Sequence, residues 1–71
     1  MSGVKKAVLR SFDEETFSAT IELVGSGRAY LEDVTVARSV PAEEMTAGRK
    51  VAVIFFDEHN ARDAVIVAAY D

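Results

Sequence analysis

Two apolar runs close the sequence, Val51-Ala52-Val53-Ile54-Phe55-Phe56 and Ala64-Val65-Ile66-Val67-Ala68-Ala69-Tyr70, with the polar stretch Asp57 to Asp63 between them. Each run is short and rich in β-branched and aromatic residues, and the residues between them favour turns over a continuing helix, so the pair reads as a β-hairpin. Apolar residues at consecutive positions lie on both faces of a strand. Everything upstream therefore has to cover this hairpin, and what it leaves uncovered must face a partner.

At 71 residues the chain reads as a single domain, residues 1–71, close to the lower size for folding without a covalent or metal staple. With Cys 0 and His 1, neither a disulfide framework nor a thiolate or histidine metal site is available, and no cofactor motif appears. Stability must then come from packing or from association. A hydrophobic fraction of 49% is high for so little interior and points to self-association. No basic segment followed by an apolar stretch marks a signal peptide, and no run approaches the roughly 20 apolar residues of a membrane helix. The expected location is cytoplasmic or virion-associated, away from membranes.

Upstream of the hairpin the pattern is again extended. Val4 to Phe12 forms a first strand, with Val8, Arg10 and Phe12 on one face and Ala7, Leu9 and Ser11 on the other. Asp13-Glu14-Glu15-Thr16 is a turn, because an aspartate at its first position bonds the backbone two residues on. The cleanest alternation follows: Phe17, Ala19, Ile21 and Leu23 toward the core, Ser18, Thr20 and Glu22 away from it. Gly25-Ser26-Gly27 reverses the chain into Arg28-Ala29-Tyr30-Leu31 and Val34 to Arg38, with Glu32-Asp33 marking a bulge, a bend or a break between two short strands. Pro41, then Ala42, Glu43, Glu44, Met45 and Ala47, with Gly48 as the stop, predicts a short helix.

Three strand segments, a short helix and two further strands is the element order of the OB-fold, a five-stranded Greek-key barrel. Strand counting leaves an SH3-like barrel as the alternative. In either case the fold is an all-β small barrel, whose closure removes strand edges that a flat sheet of this composition would expose. The strand turn at Asp13, the stretch Ala47-Gly48-Arg49-Lys50-Val51-Ala52-Val53 and the closing Ala64-Val65-Ile66-Val67 resemble the OB domains of phage tail, baseplate and spike proteins and of related secretion machines. That resemblance implies a structural, phage tail-like assembly protein. A second resemblance, of Thr16-Phe17-x-Ala19-x-Ile21-Glu22-Leu23 and Gly48-Arg49-Lys50-Val51, is to bacterial translation initiation factor one, and implies binding to RNA.

Candidate sites follow from these readings. His59 beside Asp57, Glu58 and Asp63 has no nucleophile or second histidine near it in sequence and reads as a solvated loop residue. The pairs Asp13-Glu14, Glu32-Asp33, Glu43-Glu44 and Asp57-Glu58 fall at turns or a helix start, where carboxylates are ordinary. No catalytic residue, and no enzyme, is predicted. Lys6, Arg10, Phe12, Arg28 and Tyr30 form the candidate platform for single-stranded nucleic acid, against which 12 acidic and 8 basic residues set an opposing field. The favoured site is a protein–protein interface on the outer face of the closing hairpin: Ile54, Phe55, Phe56, Val65 and Val67. Its expected partners are a second copy of the chain or a larger tail protein.

Overall fold

The computed structural model describes residues 3–25, 29–57 and 63–70. Five strands, β1 (Gly3–Asp13), β2 (Ser18–Leu23), β3 (Tyr30–Val36), β4 (Lys50–Phe55) and β5 (Ala64–Tyr70), close into a barrel in the order β1-β2-β3-β5-β4. All neighbours are antiparallel except β3 and β5, which pair in parallel over Thr35↔Val65 and Val36↔Ile66. The chain therefore crosses from β3 to β4 and returns as β5 between them, which is the Greek-key order of the OB barrel.

β2 and β4 follow their alternation. Ala19 and Ile21 are buried and Leu23 packs against them, while Val51, Val53 and Phe55 line the interior from the other side. Leu9, Ile21, Val36, Val51, Val53 and Ile66 are the largest fully buried side chains, and they come from all five strands. Phe17 precedes β2 in a left-handed conformation (φ 53°), yet its ring remains against the core. Phe12 holds it edge to face at 5.2 Å, and the Arg38 guanidinium lies 5.1 Å from its centroid on a cation–π contact.

The three odd-numbered strands each carry one extra residue. In β1 the register steps from Leu9↔Ile21 to Ser11↔Thr20, so Arg10 is the bulge and the alternation changes phase. This corrects the sequence reading of β1: Phe12 does not share a face with Val8 but packs on the core side that Ala7 and Leu9 define. In β3 the step from Ala19↔Val34 to Ile21↔Leu31 leaves one residue over at Glu32-Asp33, and Asp33 takes φ 57°, so the expected interruption is a bulge within one strand. In β5 the extra residue is Val67, between Val53↔Ile66 and Ala52↔Ala68.

The predicted turn at Asp13 forms, with the Glu15 amide donating to Asp13 Oδ1 at 3.0 Å. The short helix is reduced to a single 3-10 turn, Ala42–Glu44, closed by Glu44 N–H to Pro41 C=O and Met45 N–H to Ala42 C=O. Its first residue has no side-chain cap, and burial of both Val40 and Met45 fixes the segment from either end. A costly helix nucleus cannot repay itself over so short a span, whereas placing Val40 and Met45 in the core can. Gly48, at φ 92°, then turns the chain so that its amide reaches the Leu9 carbonyl at 2.7 Å and β4 starts in register beside β1.

Candidate protein–protein interface

The phase of β4 decides which half of the hairpin faces out. Phe55 is 7% exposed and belongs to the core, so its assignment to an interface is corrected; Phe56, 58% exposed, faces solvent. Ile54 and Val65 are half-buried and stand opposite each other, and Val4 of β1 stands opposite Ile54 on its other side. Val4, Ile54 and Val65 thus make one row across three strands, and Phe56 follows just past the end of β4. Val67, on the β5 bulge, is exposed further along.

Two more outward rows run beside the first: Lys6–Ala52–Ala68 and Val8–Lys50–Tyr70. Lys6, Val8, Val24, Lys50 and Tyr70, with Ala7 at the floor, border a surface hollow of about 290 Å³. Within these rows of β1, β4 and β5 the charged side chains are lysines; the adjoining carboxylate, Glu22 of β2, stands opposite Val8 and is bonded by Arg10. The sequence reading found Ile54, Phe56, Val65 and Val67 but missed Val4, Tyr70 and the lysine rim. Fixing the inward phase of Val51, Val53 and Phe55 would have supplied Ala52 and Ile54 as outward residues; the strands beside them required the barrel order.

The outer surface of β2 and β3 has the opposite character. Outward from these strands stand Ser18, Thr20, Glu22, Tyr30 and Thr35, with Glu32 and Asp33 exposed on the bulge. A second hollow, of about 230 Å³, is bordered by Ser11, Asp13, Ser18, Thr20 and Asp33. A third, of about 200 Å³, lies between Val67-Ala68-Ala69 and the segment from Ser39 to Glu44.

The proposed nucleic-acid platform is brought together only in part: Arg10 and Tyr30 both flank Glu22, while Phe12 leaves it for the core. Lys6 and Arg10 are both exposed on β1, but Arg10 Nε donates to Glu22 at 3.0 Å, and this hydrogen bond, with Glu22's charge, pushes the guanidinium further up from its already high pKa. Phe12 is turned to the core and Tyr30 is 51% exposed on β3, opposite Glu22. Arg28 lies outside the described residues, as do Glu58 and His59 of the closing loop.

Among the described residues no group of three or more His, Cys, Asp or Glu converges as a metal site, and no polar or charged side chain is buried. Among the described residues no helix is long and apolar enough to cross a membrane. Comparison with protein families, with curated proteins and with solved structures gives no match.

Proposed function

We propose that this barrel is a non-enzymatic assembly module that docks on protein through the outer face of β1, β4 and β5, in a phage tail-like setting where it joins further copies or a larger tail protein. The observation that carries the reading is the row Val4–Ile54–Val65, a contiguous apolar strip on a sheet face, with the exposed Phe56 just past the end of β4. Scattered exposed apolar residues are ordinary, but a continuous strip costs solubility unless something covers it. Covering it recovers about 25 cal/mol per Å² of apolar surface, set against the entropy of association. The phage tail-like setting and a virion or cytoplasmic location rest on the sequence resemblance alone.

Sedimentation across a concentration series tests the reading. Wild-type protein should associate, and Phe56→Lys should weaken that association while leaving the fold intact. A wild type that stays monomeric up to millimolar concentration would sink self-assembly and leave the larger protein as the partner to test. The second reading, a domain that binds single-stranded nucleic acid, draws on Lys6, Lys50 and Tyr70 around one hollow. An oligonucleotide titration separates the two, since binding through phosphates must appear at low salt and fall steeply as salt rises.

A further inference from the structure

We propose that copies of the barrel dock head to tail: the apolar, lysine-bearing outer face of β1, β4 and β5 on one copy covers the carboxylate-bearing outer face of β2 and β3 on the next. This rests on the assembly reading above and names its partner as a second copy. It also sets the symmetry, because the two contacting patches differ and the interface is heterologous.

Three observations carry it. The first is the sorting of charge over the barrel. Lys6 and Lys50 rim the apolar rows and form no ion pair among the described residues. Glu32, Asp33 and Asp13 lie on the other face, where among the described residues the outward positions of β2 and β3 hold no cation, and Arg10 of the neighbouring β1 is already engaged by Glu22. The second is the shape of the two faces. The lysine-bearing face has a hollow of about 290 Å³ beside Lys6 and Lys50, with room for a side chain that projects from the other face. Tyr30, half exposed on the carboxylate face, offers an aromatic ring to the apolar rows.

The third is position. In the closed order β1-β2-β3-β5-β4, the β2–β3 side stands across the barrel from β4, so using one face leaves the other open. A standard interface takes about 800 Å² from each partner, and a surface of 4617 Å² has room for two. The competing arrangement, a two-fold dimer through the apolar rows, would bring the Lys6 and Lys50 pairs of two copies together, while Glu22, the carboxylate opposite Val8 beside these rows, is already held by Arg10. Like charges brought together across an interface disfavour it.

Head-to-tail docking predicts a ring, or a row of copies when the rotation does not close, and the test exploits this. Two double variants each disable one face: Lys6→Glu with Lys50→Glu, and Glu32→Gln with Asp33→Asn, the second pair neutral so that it offers no cation to the reversed lysine face, and the asparagine chosen because it tolerates the left-handed conformation at position 33. By sedimentation each variant alone should associate about tenfold or more weakly than wild type. Mixed in equal amounts they should form a 1:1 dimer that does not grow, because each supplies the face the other has lost. Wild type should grow past the dimer and lose affinity with added salt.

Circular dichroism checks the fold of each variant, and where a charge reversal unfolds the chain, Lys6→Gln with Lys50→Gln and Glu32→Gln repeat the mixing experiment. A carboxylate-face variant that associates as wild type does, or a mixture of folded variants that stays monomeric, overturns head-to-tail docking and leaves the assembly reading standing. A monomeric wild type overturns head-to-tail docking together with the self-assembly on which it rests.

Discussion

β2 and β4 keep one residue per register step against each other's neighbours on the β1 side of the barrel, whereas β1, β3 and β5 each take up an extra residue against a partner. In the regular strands alternate residues divide cleanly: Ala19 and Ile21 in, Val51, Val53 and Phe55 in, with their neighbours half-buried or exposed. In the bulged strands the division changes phase part-way. Ala7 and Leu9 are followed by Phe12 on the core side of β1, and Ala64 and Ile66 by the partly buried Ala69 in β5. The difference teaches that a closed small barrel obtains its curvature from a subset of strands, and that the period-2 rule holds only between bulges.

The largest expected effect tests the phase of β4 where it ends. Phe55→Lys should unfold the protein, since it places a charge among buried apolar side chains with no partner, while Phe56→Lys one position on should change stability by no more than about 0.5 kcal/mol. Urea melts of both variants decide this, and equal sensitivity would mean that the phase is blurred at the strand end. Next in size, Ile21→Ala and Val53→Ala should each cost about 2–4 kcal/mol by leaving a cavity in the barrel. If either proved neutral in the same melts, the regular strands would not be the fixed part of the core.

A smaller effect probes a bulge. Asp33 sits at φ 57°, a conformation that costs a β-carbon-bearing residue about 1–2 kcal/mol. Asp33→Gly should therefore be the more stable of two variants, with Asp33→Ala below it by about 1 kcal/mol in thermal or urea unfolding. Equal stability would show that the bulge relaxes at no cost. Smallest of all, Ser18→Ala and Thr20→Ala on the outward side of β2 should stay within about 0.5 kcal/mol of wild type, although Ser18 gives up a 2.7 Å hydrogen bond with Thr16. Sensitivity there would mean that the polar side of β2 contributes to stability as its apolar side does.

What the chain alone determined is traceable to particular residues. The all-β class, the succession of elements along the chain with its connection between β3 and β4, the inward set of β2, the Asp13 turn and the irregularity at Glu32-Asp33 follow from local apolar period and turn chemistry, which neighbouring residues carry by themselves, whereas the OB rather than SH3-like strand order came from the barrel. Ile54, Phe56, Val65 and Val67 were legible as candidates for the same reason: two apolar runs cannot both turn every residue inward.

Tertiary structure decided the rest. Choosing Phe56 over Phe55 as the outward ring depends on the register of β4 between β1 and β5. The bulges at Arg10 and Val67, and with them the inward place of Phe12, arise because strands of unequal length must bend to close a ring of five. The helix predicted after Pro41 gave way to a 3-10 turn because Val40 and Met45 are both drawn into the core. The lysine-bearing and carboxylate-bearing faces exist only after folding, since Lys6 and Lys50, or Asp13 and Asp33, are distant in sequence and meet only through cross-strand pairing.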